Sequence, residues 1–166
     1  AHEVDLLLVG EGPERARLER LAREGGLSVH FFGACYDEKT IAELVMSANV
    51  SVAPGKVGLT AMHSLAFGTP VITHGDIAHQ MPEWEAILPG RTGDLFQRDS
   101  VTDLAGVIRR WTTSRYPDES VRAACHAVID RFYNPRFQRL VIERALEGKP
   151  ADDLFWMKAD TGGPAE

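Results

Sequence analysis

Apolar positions recur along this chain in two alternating rhythms. Short, nearly continuous apolar runs stand at residues 4–9, 29–32, 50–53 and 71–72, followed by a turn and short strand at 92–96. Runs of that length with β-branched and aromatic residues predict strands. The first, broken only by Asp5, predicts burial on both faces of a parallel sheet. Between the runs, apolar residues fall three and four apart. Leu18, Leu21 and Ala22 give an inward stripe to a helix that Pro13 starts and Gly25 and Gly26 end. Asp37 is the expected N-cap of a helix carrying Ile41, Leu44, Val45 and Ala48. Leu59, Met62, Leu65 and Ala66 mark a third helix, closed by Gly68. Residues 74–91 have weak periodicity and predict a loop with a short helix near Glu83 to Ile87. Three further helices follow. One carries Leu104, Val107 and Ile108; one, capped by Asp118 or Ser120, carries Val121, Ala124, Val128 and Ile129; the last starts at Asn134 and Pro135. Strands alternating with helices predict an α/β fold: a Rossmann-like parallel sheet with helices on both faces. The expected domain is residues 1–147. Residues 148–166 are expected to be largely irregular around one apolar patch, Leu154 to Met157.

The chain is organised around residues 51–74, SVAPGKVGLTAMHSLAFGTPVITH. This reads as strand, glycine loop, helix, tight turn, strand. A glycine loop entering a helix leaves backbone N–H groups free at the positive end of the helix dipole, where a phosphate can sit. Many βα turns bind nothing, so the loop is either an anion site or a plain connection.

Composition narrows the partners. At 166 residues the chain is long enough for a real core, and its net charge of −6 argues against nucleic acid. No apolar run is long enough to span a bilayer, and the acidic start AHEVDLLLVG leads straight into a strand rather than a signal peptide. Cys35 and Cys125 stand alone, as free thiols in a reducing cytosol would. No His/Cys cluster has metal-ligand spacing.

Four segments in register carry a resemblance: LLLVGEGPERARLERLA, VHFFGACYDEKTIAELVMSANVSVAP, VGLTAMHSLAFGTPVI and the stretch ending PGRTGDLF. Together they resemble the C-terminal, nucleotide-sugar-binding half of GT-B glycosyltransferases, most closely the family 4 retaining enzymes. The resemblance implies that Gly10, Gly12 and Pro13 make the first turn at the cleft. It implies that Phe32 and Gly33 lie where the nucleotide base is received, and that the loop around Val57, Gly58, Leu59 and Thr60 holds the donor diphosphate on its N–H groups. Gly68, Thr69 and Pro70 make a structural turn. Glu85, Gly90, Thr92 and Gly93 match a segment near the cleft.

Two departures from the family stand out. The family's E-x7-E pair is replaced by Gly55 and His63. His63 could hydrogen-bond a ribose hydroxyl through either ring nitrogen, or be an ordinary outer-face histidine. For Gly55 the stand-in would be a later carboxylate, Asp76, Glu83 or Glu85. The family's first strand and helix, with an Arg and a Lys for the diphosphate, precede the strand that here is residues 4–9. Against the family, the chain therefore reads as a fragment lacking that unit and the N-terminal acceptor domain, the alternative being a shortened relative. Lys56 is either a partial substitute cation or a solvated loop lysine.

The implied chemistry is retaining transfer of a hexose from a nucleotide-diphosphate sugar to a saccharide or lipid-linked acceptor, in polysaccharide biosynthesis. Its main task is stabilising the departing diphosphate. No DxD-type motif stands in a suitable loop, so no metal and no cofactor beyond the donor is expected. His63, His74 and Glu85 are the candidates for direct roles in catalysis; His79 is a further loop histidine. The implied setting is the cytoplasm or the inner face of its membrane, with peripheral attachment of the longer protein. Two alternatives remain: a GT-B nucleotide-sugar epimerase, and a non-catalytic GT-B-like binding or assembly module.

Overall fold

The computed structural model describes residues 4–113, 118–150 and Leu154. The elements run β1 (Leu6–Val9), α1 (Arg15–Glu24), β2 (Val29–Gly33), α2 (Glu38–Ser47), β3 (Ser51–Ala53), α3 (Leu59–Ala66) and β4 (Val71–His74). Two 3-10 turns, Ile77–His79 and Pro82–Ala86, replace the single short helix expected there. β5 (Gly93–Phe96), α4 (Val101–Thr113), α5 (Glu119–Phe132) and α6 (Pro135–Leu146) complete the order. Every strand pairing is parallel, and the α/β class holds.

The sheet is not continuous. β1 pairs with β2, and β3, β4 and β5 form a separate three-stranded sheet with β4 in the middle. Central β4 is buried throughout, which follows from having a strand on each side and helices on both faces. Val71 points to one layer, with Val57, Ala61, Leu65, Cys125 and Val128 beneath α3 and α5. Its neighbour Ile72 points to the other, with Phe96 and Val107 beneath α4. That alternation is the period of a strand read through a two-sided core.

The first βαβα unit is thinly packed. The double-sided burial expected for the first strand is not found: Leu6 and Val9 are 44% and 47% exposed, and Leu7 and Leu8 are half-buried. Of the stripe expected on α1, only Ala22 is buried; Leu18 and Leu21 face solvent. Among the described residues β1 pairs on one edge only, with β2. The unit is tied to the rest through the end of α2. The Thr69 hydroxyl, fully buried, donates to the Val45 carbonyl at 2.8 Å, and the Arg122 guanidinium reaches the Met46 carbonyl at 3.4 Å.

Capping follows the sequence. The Asp37 carboxylate accepts from the Thr40 N–H at 2.8 Å, and the Thr40 hydroxyl holds its pKa below the usual range. Asn134 accepts from the Phe137 N–H. Phe132 and Tyr133 pack against the main core, and Phe132 meets Phe137 edge-on at 5.4 Å. Gly148 to Pro150 and Leu154 aside, the expected tail lies outside the described residues.

Candidate functional site

Because all strands are parallel, the turns that follow them gather at one end of the sheets. After β1 come Gly10 and Gly12. After β2 comes Gly33, and the two turns touch: the Gly10 N–H donates to the Gly33 carbonyl at 2.7 Å. Phe32 leaves half its ring in solvent beside them. Arg15 braces this corner, reaching the Phe31 carbonyl at 3.4 Å and the carboxylates of Glu11 and Glu19 at 2.6 and 2.8 Å. The hydrogen bond to Glu19, then that to Glu11, pushes its pKa up from an already basic value.

After β3 comes the loop from Pro54 to Gly58. Gly55 and Lys56 are exposed. Gly58 is the N-cap of α3 and has no side chain to offer, so the N–H groups of Gly58, Leu59 and Thr60 stand at the open end of the helix. Val57 is different. It is fully buried, and its N–H is already taken by the Gln80 side-chain carbonyl at 2.8 Å. Val57 therefore anchors the loop and does not offer its amide to an anion. Leu59, expected on the inward stripe, is 69% exposed; α3 is a short helix whose inner face is Ala61, Ser64 and Leu65.

Gln80 was not singled out by any sequence pattern. Its amide nitrogen donates to the Thr73 hydroxyl and to the His74 carbonyl, each at 2.9 Å, while its oxygen takes the Val57 N–H. One side chain thus staples the loop after β3 to the end of β4. No signal in the sequence marked it, since Gln80 is one of several polar residues in a weakly patterned loop.

His74, a candidate for catalysis, is 3% exposed; its ring meets Phe96 edge-on and accepts from the Asp76 N–H. It is part of the core. Asp76 is held by Arg98 at 2.9 Å and by His79 at 2.8 Å, and these partners, Arg98 foremost, lower its pKa. It is not free to replace an acid at Gly55. Gly90, Thr92 and Gly93 also lie away from the cleft, since Gly93 opens β5 at the amino end of the sheet. Gly93 has φ +156°, and a Cβ there would lie 1.8 Å from the Val71 carbonyl oxygen. The buried Thr92 hydroxyl donates to the Ala86 carbonyl and accepts from the Leu88 N–H. The segment is structural.

The structure does bring His63, Glu83 and Glu85 together. They line one cavity of about 620 Å³. Leu59, Met62 and Ala66 of α3, and Ile129, Phe132 and Tyr133 at the end of α5, make its apolar walls, with Phe137 and Gln138 at the start of α6. Oε2 of Glu83 is shielded from solvent and has no hydrogen-bond partner among the described residues. Burial, then the nearby Glu85 and Glu83 carboxylates, pushes the Tyr133 phenol pKa up, so Tyr133 stays a neutral donor at physiological pH. Among the described residues no Lys or Arg lines the cavity. The arrangement therefore pairs an anion-ready helix end with a neighbouring pocket suited to hydroxyl groups and apolar faces. Among the described residues no group of three or more His, Cys, Asp or Glu could hold a metal ion, and no helix is long and apolar enough to cross a membrane.

Comparison with known proteins places this geometry in context. The family model described as "Glycosyl transferases group 1" matches residues 1–114. A GDP-mannose-dependent alpha-(1-6)-phosphatidylinositol dimannoside mannosyltransferase of Mycobacterium tuberculosis is 49% identical over 70 residues, 40% of this chain and 18% of that protein. Sucrose-phosphate synthase from Thermosynechococcus elongatus superposes with a TM-score of 0.69 at 27% identity, over 87% of this chain and 39% of that one. Anabaena HepE in complex with UDP superposes with a TM-score of 0.69 at 19% identity, over 87% and 41%. The chain thus spans well under half the length of these relatives.

Proposed function

The chain belongs to the group 1 glycosyl transferases, and on that premise we propose that it is the donor-binding half of a retaining, metal-independent GT-B enzyme of the family 4 type. The reaction moves a hexose from a nucleotide-diphosphate sugar to a saccharide or lipid-linked acceptor. The acceptor is held by an N-terminal domain outside this chain, in the cytoplasm or at the inner face of its membrane. One observation carries the reading: the open N–H end of α3 is fixed by Gln80 at the carboxyl end of the sheet, beside a cavity that holds His63.

In this reading the diphosphate rests on the N–H groups of Gly58, Leu59 and Thr60, with Lys56 as the nearest loop cation. These dipoles are already in place, so they stabilise the leaving group without reorganising as charge builds on it. His63 takes a ribose hydroxyl. The carboxylate missing at Gly55 is supplied from the cavity, where the unpartnered oxygen of Glu83 accepts a hydroxyl that would otherwise go to water. Gly10, Gly12, Phe32 and Gly33 form the base end of the cleft. The name of the mycobacterial relative makes GDP-mannose the first donor to test and favours transfer over epimerisation.

Calorimetric titration with GDP, GDP-mannose, UDP and ADP, with and without magnesium, tests the proposal. One nucleotide should bind without magnesium, and His63→Ala should weaken it about tenfold, the cost of one hydrogen bond to a ligand hydroxyl. His63→Gln, which keeps a donor and an acceptor, should recover part of the loss. Folded protein that binds none of the four, or binds equally well as His63→Ala, would overturn the assignment.

A further inference from the structure

The cavity beside the open end of α3 has a one-sided charge. Glu83 and Glu85 line it, and among the described residues no cationic Lys or Arg faces them there. The Arg131 guanidinium lies over the Phe132 ring, 5.0 Å from its centroid, and is not one of the lining groups. Among the described residues, the other ionisable side chains of the lining are His63 on α3 and Tyr133 at the end of α5. The Tyr133 phenol is pushed up by burial first, then by the Glu85 and Glu83 carboxylates, so the field of both acids is felt at the α5 side of the cavity.

The two acids differ in cover. Glu85 is exposed, and water screens it. Glu83 is half-buried, and its Oε2 is shielded from solvent with no hydrogen-bond partner among the described residues. An ionised carboxylate only accepts hydrogen bonds, so a ligand group that meets Glu83 must donate one. A sugar hydroxyl can do so. A carboxylate, sulfate or phosphate cannot, and it would bring a second negative charge to a place from which water is excluded. The walls offer such an anion little compensation, since Leu59, Met62 and Ala66 of α3 and Ile129 of α5 are apolar. The N–H groups that do suit an anion stand at the start of α3, where Gly58 caps the helix without a side chain.

The site is thus divided: its helix end attracts negative charge and its cavity repels it. A nucleotide-diphosphate sugar that sets its diphosphate on the helix end brings its sugar among the acids. We infer that Glu83, assisted by Glu85, is a charge filter on the donor: the site admits sugars without negative charge and rejects those that carry a carboxylate, sulfate or phosphate, uronic acids foremost. This inference rests on the donor-site reading and adds to it the class of sugar transferred. Discrimination of this kind comes from repelling the wrong donor, beyond any contact that the right one gains.

Paired donors that differ at one carbon test it. GDP-mannose against GDP-mannuronate, and UDP-glucose against UDP-glucuronate, each exchange a hydroxymethyl group for a carboxylate and nothing else. The full chain is titrated calorimetrically with both pairs and with GDP and UDP alone. For the base that binds, the uronate should bind at least about tenfold more weakly than the neutral sugar. Glu83→Gln keeps the size and an acceptor oxygen but removes the charge. It should bring the two affinities to within about threefold of each other, whatever it does to both, because a merely damaged pocket weakens the pair alike. Glu85→Gln should move the ratio less, since its acid is exposed. Equal binding of neutral sugar and uronate, with the bare diphosphate still bound, overturns the inference and leaves the donor site standing. A ratio that survives both Glu83→Gln and the double variant Glu83→Gln/Glu85→Gln overturns the role of the acids. Folded protein that binds neither diphosphate removes the donor site, and the filter with it.

Discussion

Gln80 is the residue on which the candidate loop depends. Its three hydrogen bonds satisfy the buried Val57 N–H, the Thr73 hydroxyl and the His74 carbonyl. Gln80→Leu keeps the volume and removes all three, leaving a buried N–H with no partner. The expected cost is about 1–3 kcal/mol in urea unfolding, with nucleotide affinity falling in parallel because the Gly55–Gly58 loop is released. An unchanged midpoint would mean that water replaces the amide. Cys125 gives a second test. It is fully buried and its thiol is pushed up to about 12, against an ordinary value of 9.0, chiefly by burial. Between those values the unfolded chain loses a proton that the folded chain keeps. Stability at this site is therefore complete below about pH 9 and falls as pH rises towards 12. Cys125→Ala should flatten that alkaline slope in a series of unfolding curves. The glycines of residues 51–74 announced the loop, because they are where the backbone must be free. Gln80 did not announce itself, since a glutamine in a loop carries no periodicity and its partners are fixed only by the fold. His74 misled for the converse reason: its type suggests chemistry, and only packing against Phe96 shows that it is core.

At the scale of elements, α3, β4 and their turns were readable because strand and helix periods change abruptly there and glycines mark both changes. Gly68 has φ +75°, and a Cβ would meet the His126 ring at 2.9 Å, so its place after α3 is doubly required. The two ends of the β4–β5 pair were harder to separate. The Thr92–Gly93 dipeptide reads like a binding loop, yet it sits at the amino end because Gly93 lies against the Val71 backbone. Gly93→Ala should leave no folded protein, as judged by loss of cooperative unfolding, since backbone atoms cannot yield as a side chain could. Burial on both faces of β1 was the larger miss. An apolar run shows that a strand can be covered, not that covering strands are there. The joint between the units can be tested directly. Thr69→Val removes the hydroxyl that reaches the Val45 carbonyl and keeps the shape. We expect a loss of about 1–2 kcal/mol, and faster amide exchange across α2 than across α5. Equal effects on both helices would show that the tie is not local.

Across the whole molecule the core is unevenly shared. Among the described residues Ala22 is the one buried apolar side chain before Val57, and both core clusters lie within residues 57–128. The β1–α2 unit contributes one sheet of two strands, which on its own is marginal in water, and leans on the rest through Thr69 and Arg122. Stability should therefore differ by region. The inner amides of β1 and β2, such as Leu6 and Leu8, should exchange through sub-global opening, well below the free energy reported by β4. Far-UV signal should be lost in urea before the near-UV signal of Trp84, which packs on the main core. The partition has a functional edge: in the proposed site the base end belongs to the weakly held unit, and the diphosphate end to the well-packed one. Nucleotide spanning both should raise protection in β1 and β2 more than in β4, because a ligand stabilises most the unit whose opening it must prevent. Uniform exchange across all five strands, with or without nucleotide, would mean that the two sheets fold as one cooperative body.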